Sequence, residues 1–404
     1  MIHPIEERYR TELADIFEEN NRISLMLNVE VALAKAHFET GLLSHDEYEK
    51  ISSAVSEVTP EVVKGIEKQT HHDIMALVQA LTDASGCDKV HIGATSNDIV
   101  DTTLALQLKK SNEILLKDLS NLKDVLLKQA KKTKKLICIG RTHGQHALPM
   151  TYGLKFALWS YEIDECLKEL ERTKFYGKMS GAIGTFASFG EEGELIQSKV
   201  LSELGLTAPL VTNQVVSRIF LAKFLFNLIS VVCVIEKIGK EIRNLQRSEI
   251  GEVTEPFAMK QIGSSTMPHK RNPHKCENLC AIAKRVRTNI LPALENISLE
   301  HERDLTNSAN ERIIIPETVI LTHYMIKQAT FIFGELEFFE ENIKRNLQAS
   351  PSIFMEKRMM ELIREGYGRQ EAYEKAKTSF KPDDPESYLG LSVTTVDKVI
   401  EALK

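Results

Sequence analysis

The stretch Leu104–Lys128, LALQLKKSNEILLKDLSNLKDVLLK, decides the fold of this chain. Its leucines occupy the two apolar positions of a seven-residue repeat: Leu108, Leu115, Leu119, Leu122 and Leu126. Such a repeat keeps one apolar seam along a helix and favours packing against nearly parallel partner helices. We therefore predict a long helix here, with other helices covering its apolar seam.

Helical periodicity continues on both sides of this stretch, and no alternating pattern is long enough for a substantial sheet. The further long helical patterns cover 151–172, 214–250, 275–297 and 316–345. We predict an all-α fold of three helical domains, the central one a bundle of long helices: 1–100, 101–345 and 346–404. Because exposed seams need cover, we expect a homo-oligomer whose long helices pack across subunits.

Composition limits the classes of function. The 404 residues are 43% hydrophobic and 27% charged, with a net charge of −6, which is typical of a soluble globular protein and argues against nucleic acid as a partner. The N-terminus lacks the apolar core of a signal peptide, and the apolar stretch at 219–235 is interrupted by polar residues. The six cysteines form no CxxC pair. We predict reduced thiols, a cytoplasmic location and no membrane partner.

Five polar clusters stand out against this apolar background and together hold eight of the twelve histidines. They are THHDIM (70–75), HIGATSNDIVDT (91–102), GRTHGQHALP (140–149), IGSSTMPHKRNPHKCEN (262–278) and HERDLTNSANER (301–312). Such groups are costly to bury without partners, so one shared polar cleft is the economical interpretation.

Several chemistries are compatible with a polar cleft of this kind. His143 and His146 could supply two metal ligands from one helical turn, but no HExxH motif is present and Gly144 disfavours a regular helix. A GxSxG nucleophile elbow and a phosphate-binding P-loop are also absent from the sequence. Acid–base chemistry on an anionic substrate fits better, since Lys270 and Asn272 are donors suited to a developing oxyanion.

The segment GSSTMPHKRNP within 262–278 resembles the signature loop of the fumarase/aspartase superfamily, lyases that release fumarate by breaking a C–N or C–O bond. Within the superfamily, the other clusters resemble the adenylosuccinate lyase family, and so do TNQVVSR around Gln214 and KCEN at 275–278. The likeness extends over essentially the whole chain, from Arg8 and Tyr9 to EGYGRQEAY at 365–373.

The resemblance implies a mechanism that eliminates fumarate from adenylosuccinate and from the related succinylaminoimidazole carboxamide ribotide. It makes Ser264 the base and His143 the general acid, with Glu277 orienting and charging that histidine. Lys270 and Asn272 would hold the dianionic intermediate.

The resemblance also implies a binding set. The succinyl carboxylates would meet Thr95, Ser96, Thr142 and Gln214. The phosphate and ribose would meet Arg8, Tyr9, Arg303, Ser308 and Arg312. The remaining binding residues would be His71, His72, Asp73, His91 and Asn278. The family implies a homotetramer with shared active sites, small-molecule substrates, no metal and no other cofactor.

Two alternatives stay open at this point. Another superfamily member, such as a carboxymuconate cycloisomerase, can share MPHKRNP, although HERD…NSANER and the Arg8–Tyr9 start suit a phosphorylated nucleotide. A non-catalytic structural relative is the second alternative. The presence of Ser264, Lys270, Asn272 and His143 argues against it.

Overall fold

A computed structural model describes residues 4–257, 267 and 270–404 of the chain. Its contacts separate two compact units, each assembled from three stretches of sequence. The first unit comprises Met1–Lys117, Glu169–Ile229 and Val286–Tyr324, and the second comprises Asp118–Lys168, Ser230–Arg285 and Met325–Lys404. The division into consecutive domains at 100 and 345 stays a prediction.

Helices dominate both units, and the all-α class is confirmed. Up to the first long helix the order is α1 (Leu13–Phe17), α2 (Glu19–Glu39), α3 (His45–Ser53), α4 (Pro60–Thr70), α5 (Asp73–Ser85) and α6 (Ser96–Lys132). The central helices are α7 (Tyr152–Glu171), α8 (Gly193–Glu203), α9 (Arg218–Leu245), α10 (His274–Thr288), α11 (Ile290–Glu295) and α12 (Ser308–Gly334). The last helices are α13 (Glu340–Gln348), α14 (Met355–Arg364), α15 (Arg369–Ser379) and α16 (Ser392–Ala402). A short 3-10 turn, Pro4–Glu6, precedes the first helix, and others lie between later helices: Ala54–Glu57, Gly190–Glu192, Pro351–Phe354 and Pro385–Tyr388.

The heptad prediction holds: α6 contains the whole 104–128 stretch, and its five seam leucines are at most 5% exposed. Helix α7 matches the predicted 151–172 segment. The other predicted helices were too long. The 275–297 pattern divides into two helices at Asn289, whose buried amide donates to Glu317 Oε2 and Thr318 Oγ1, each at 3.0 Å. The 316–345 pattern is interrupted by a short strand.

In the described part of the chain, strands occur as two antiparallel pairs. The first is a hairpin of β1 (Ile137–Thr142) and β2 (Gln145–Thr151), with an irregularity between Ile139 and Arg141. The second joins β3 (Val253–Thr254) to β4 (Glu337–Phe338). Small pairs like these agree with the prediction that no substantial sheet is present.

Each unit has its own apolar core. In the first, side chains of α2 and α5 such as Leu27, Leu33, Ile74 and Leu77 are buried together with Val200 of α8. In the second, a smaller cluster joins β1 to α13 and the turn that follows it: Ile139, Leu347, Ile353 and Phe354. These cores position the ends of the helices and the hairpin, where the polar clusters lie.

Helix α9 is long and apolar enough to cross a membrane, by length and composition alone. However, 56% of its most apolar window is buried inside the structure. Burial of this kind is typical of a core helix, which passes the same test of length and composition.

Candidate active site

The residues proposed for the site divide between the two units. Those of the first unit are Arg8, Tyr9, His71, His72, Asp73, His91, Thr95, Ser96, Gln214, Arg303, Ser308 and Arg312. Those of the second are Thr142, His143, Lys270, Asn272, Glu277 and Asn278. Ser264 lies outside the described residues.

His143 lies at the tip of the β1–β2 hairpin. Thr142 pairs with Gln145, so His143 and Gly144 form a two-residue turn, with φ angles of 55° and 75°. Two consecutive positive φ angles define the turn whose twist matches that of the flanking strands, and glycine readily occupies one of those positions. The turn exposes the imidazole to solvent, where a substrate can reach it.

A buried carboxylate anchors the base of this hairpin. Glu252 is fully buried and accepts hydrogen bonds from Arg141 at 2.5 Å, from the Tyr152 hydroxyl at 2.5 Å and from the Asn346 amide at 2.9 Å. Burial, with the negative charge of Glu252, raises the pKa of Tyr152, which therefore stays a neutral donor. Glu252 fixes the strand that leads into His143.

A second carboxylate holds the start of α10, which carries Glu277 in its first turn and Asn278 directly after it. Glu255 accepts hydrogen bonds from the backbone N–H groups of Lys275 at 3.0 Å and Cys276 at 2.9 Å. It caps two donors that a helix N-terminus would otherwise leave unpaired, and its charge suits the positive end of the helix dipole. Glu277 is exposed and lies in the helix turn whose backbone Glu255 holds.

His146 lies on strand β2 of the same hairpin and contacts a residue outside the hairpin. Its Nδ1 lies 2.6 Å from Ser350 Oγ, and burial and the nearby Arg141 lower its pKa. His143 and His146 thus stand on a turn and a strand rather than on one helical turn. This arrangement differs from the metal-site alternative, in which both histidines would be ligands on one helical turn.

In the first unit, Asp98 organises the segment that holds Thr95 and Ser96. Its fully buried carboxylate accepts from the backbone N–H groups of Thr95 at 2.8 Å, Ser180 at 2.9 Å and Gly181 at 3.1 Å. The buried Lys178 ammonium completes the set. Thr95 and Ser96 are therefore fixed at the positive N-terminal end of α6, which favours an anionic group such as a carboxylate.

A buried ion cluster joins three of the family motifs. Arg218 donates to Asp101 Oδ2 at 2.8 Å and to Glu311 Oε1 at 3.0 Å, and all three side chains are at most 8% exposed. Each residue comes from a different motif: Asp101 lies at the start of α6, Arg218 at the start of α9 and Glu311 at the start of α12. Nearby, Arg303 donates to Gln214 Oε1 at 2.9 Å, so these two predicted binding residues contact each other.

Replacing Arg218 with methionine should destabilise the chain by about 3–5 kcal/mol, because two buried carboxylates would lose their shared cation. Urea unfolding followed by circular dichroism measures the effect as a lower midpoint. Lys223→Met is the matched control, since it removes an exposed cation from the same helix and should change stability by no more than about 0.5 kcal/mol. An unchanged midpoint for Arg218→Met would show that the cluster does not stabilise the fold.

The predicted histidines of the first unit lie at the ends of helices and turns. His71 ends α4 with φ at 52°, and His72 Nδ1 accepts the Met75 N–H at 3.3 Å and caps α5. Five residues other than glycine adopt positive φ in the described part, and four are histidines of the polar clusters: His71, His91, His143 and His301. A positive φ at a residue other than glycine costs of order 1–3 kcal/mol, and residues in this conformation concentrate at functional sites.

Two of the three arginines proposed for the phosphate and ribose are open to solvent, while Arg303 is half-buried beside Gln214. Arg8 and Arg312 are exposed, and Tyr9 packs edge-on against Tyr324, with ring centres 5.1 Å apart. Arginine side chains at a surface can form two parallel hydrogen bonds to phosphate.

Comparison with known proteins identifies the family. A family model described as Lyase matches residues 6–288, and one described as Adenylosuccinate Lyase, C-terminal domain matches residues 340–381. An adenylosuccinate lyase of Pyrococcus horikoshii is 48% identical, covering 92% of this chain and 85% of its own length. The chain belongs to the adenylosuccinate lyase family. Members of this family are carbon–nitrogen lyases, and the family assignment made from the motifs is confirmed.

Two further similarities place the chain within the superfamily. An adenylosuccinate lyase of Bacillus subtilis is 39% identical, covering 91% of this chain and 86% of its own length. A solved structure of 3-carboxy-cis,cis-muconate lactonizing enzyme from Pseudomonas putida shares the fold, with a TM-score of 0.88, 27% identity and 99% coverage of both chains. The fold is thus common to both activities, while sequence identity and the C-terminal match favour the adenylosuccinate lyase family.

Sequence reasoning missed the residues that hold this family's motifs in place. Asp98 and Asp101 stood within a polar cluster and were not singled out. The others lay outside every cluster: Lys178, Arg218, Glu252 and Glu255. A charged residue inside an apolar segment was the available signal, since such a residue needs a buried partner.

Proposed function

We propose that the chain eliminates fumarate from adenylosuccinate to give AMP, and from the succinylaminoimidazole carboxamide ribotide to give the free carboxamide ribotide. One observation carries the proposal: a chain 48% identical to an adenylosuccinate lyase keeps every chemistry-bearing residue that the motifs imply. These residues are Ser264, His143, Glu277, Lys270 and Asn272.

The elimination divides into two bond-breaking events. The Ser264 alkoxide takes the proton from the succinyl Cβ, and the C–H electrons move onto the adjacent carboxylate to give an aci-dianion. Lys270 and Asn272 stabilise that charge. The electrons then form the C=C bond of fumarate as the C–N bond breaks, and His143 protonates the departing nitrogen.

The geometry of the second unit supports these roles. A general acid must reach its substrate, and the hairpin turn exposes His143 while Glu252 fixes the strand leading to it. Lys270 is exposed and lies four residues before α10, whose capped first turn carries Glu277. The helix dipole favours a carboxylate at this position, which suits Glu277 to orient the His143 imidazole.

The first unit supplies groups for the rest of the substrate. Thr95 and Ser96, held by Asp98, would bind a succinyl carboxylate at the N-terminus of α6. Gln214 is linked to Arg303 and also donates to Ala182 O at 2.9 Å. Arg8, Tyr9, Ser308 and Arg312 would hold the ribose and phosphate.

We propose that the chain forms a homotetramer whose active sites are shared between subunits. We also propose that it acts in the cytoplasm. Apolar side chains are exposed on three long helices: Leu158 and Tyr161 of α7 at 48% each, Phe226 of α9 at 58% and Phe331 of α12 at 52%. Exposed apolar residues on long helices are typical of subunit interfaces.

The direct test is incubation of the purified chain with adenylosuccinate. Absorbance should shift as AMP forms, with equimolar AMP and fumarate resolved by chromatography. A cycloisomerase would instead act on 3-carboxy-cis,cis-muconate, and a non-catalytic relative would act on neither compound. Either result would contradict the proposed activity.

Mixing two inactive variants tests the shared site. Ser264→Ala and His143→Asn chains, exchanged in mild denaturant and refolded together, should recover part of the wild-type rate, because some sites would inherit both intact residues. Each variant refolded alone is the control. No recovery after mass spectrometry has verified mixed oligomers would mean that one chain supplies both residues.

A further inference from the structure

A buried carboxylate lies directly behind His91. Glu30 of α2 has a fully buried side chain, and its Oε1 lies 2.6 Å from His91 Nδ1. The other oxygen, Oε2, is also buried and makes no hydrogen bond within the described chain. His91 is thus the partner on which this carboxylate depends.

The surrounding charges favour an ion pair. A buried carboxylate without a cation is costly, and the neighbouring Asp98 is already paired with Lys178. His37 of α2 also lies near the His91 turn and hydrogen-bonds to Ile92 O at 2.9 Å. Burial lowers the pKa of His37, which favours its neutral form. Burial also opposes charge on His91, but attraction and hydrogen bonding by Glu30, joined by Asp98, outweigh it and raise the pKa of His91.

The backbone around His91 is fixed as well. His91 has φ at 65°, and its turn is tied down by the His37 contact and by Ser188 Oγ, which donates to Gly93 O at 2.5 Å. A Cβ on Gly93 would lie 2.7 Å from the ring of Phe189, so only glycine fits there. The turn and the carboxylate together set the direction of the imidazole.

We propose that Glu30 is a positioning residue that holds His91 as an imidazolium, with Nδ1–H donated to Glu30 and Nε2–H available to an anionic group of the substrate. Nε2 makes no hydrogen bond within the described chain, and the His91 side chain remains 11% exposed. A charge-assisted donor of this kind is stronger than a neutral one. This assignment rests on the proposed function, in which the substrate is adenylosuccinate. The anion that His91 meets is then either the phosphate or a succinyl carboxylate of that substrate.

Glu30→Gln keeps the shape of the side chain and removes its charge. We expect the KM for adenylosuccinate at pH 7 to rise roughly tenfold, the size of one charge-assisted hydrogen bond, with kcat within about twofold. Glu39→Gln is the matched control: it removes a carboxylate from the same helix, where Glu39 forms a surface ion pair with Lys199, and should leave KM unchanged. Thermal unfolding and size-exclusion chromatography verify the fold of each variant.

The pH dependence separates charge from shape. In the wild type the raised pKa keeps His91 charged, and KM low, to a higher pH; KM then rises as His91 loses its proton. In Glu30→Gln that rise should begin at a lower pH, and the difference between the two enzymes should shrink as the pH falls, because acid protonates His91 in both. In a His91→Asn background, which tolerates the positive φ, Glu30→Gln should have no further effect.

Two substrates identify the anion. If His91 binds the phosphate, the effect of Glu30→Gln should vanish with succinyladenosine, which lacks that group; if it binds a carboxylate, the effect should persist. A wild-type chain inactive on adenylosuccinate would overturn the proposed function and this assignment with it. An active wild type in which Glu30→Gln matches Glu39→Gln overturns the assignment alone. Should Glu30→Gln not fold, His91→Asn replaces it, and an unchanged KM with an unchanged pH profile overturns the proposal.

Discussion

Replacing Ser264 with alanine should lower kcat for adenylosuccinate cleavage by about 10²–10⁴-fold, the usual contribution of a general base. The group that removes the Cβ proton would be lost, whereas the groups that bind the nucleotide would be unchanged. Binding of AMP, measured by calorimetry, should therefore stay within about threefold of the wild-type value, a difference well below one charge-assisted hydrogen bond.

The neighbouring serine is the matched control for this prediction. Ser265→Ala removes an identical hydroxyl from the next residue in the sequence and should retain most of the wild-type kcat. A Ser264→Ala enzyme with more than about a tenth of wild-type activity would contradict the assignment. Loss of activity in Ser265→Ala alone would move the base by one residue.

The long helices could be predicted from the sequence because their signal is local. The leucine repeat needs only the spacing of side chains along one helix, and α6 follows it closely. The ends of helices depend instead on distant partners. Asn289 interrupts its helical pattern while bonding to Glu317 and Thr318, residues that lie well beyond the α10 pattern. Such a contact leaves no periodic trace.

The same distinction applies to the site. Clusters of histidine and hydroxyl residues are visible in the sequence because the groups that contact substrate are concentrated in short motifs. The carboxylates that support them lie outside those motifs: Glu30 for His91, Glu252 for the His143 hairpin and Glu255 for the start of α10. Each partner lies 20 or more residues away in sequence, as between Glu255 and Lys275. A pair at such a distance cannot be read from spacing alone.

Backbone conformation adds information that the sequence motifs did not carry. Histidine tolerates the left-handed region better than most residues but still at a cost, and four cluster histidines adopt it. Each stands where the chain turns, so its ring projects from a short, constrained segment. Side-chain substitutions at these positions therefore need a residue that accepts positive φ; otherwise backbone strain would be mistaken for loss of chemistry.

For that reason asparagine is the informative replacement for His143. His143→Asn should lower kcat by about 10²–10⁴-fold, because the departing nitrogen would leave without a proton from a positioned acid. Since asparagine accepts a φ near 55°, the hairpin should keep its shape and the variant its thermal stability. Steady-state kinetics with adenylosuccinate, together with the melting temperature, measure both effects.

A nearby change in the same hairpin separates chemistry from structure. Gln145→Ala removes an exposed side chain from the residue paired with Thr142, and it should leave kcat within a few-fold of the wild-type value. If His143→Asn lowered kcat and the melting temperature together, the loss would belong to the turn rather than to proton donation. If it kept wild-type kcat with a stable hairpin, the acid would have to be another group, and the exposed position of His143 would need a different explanation.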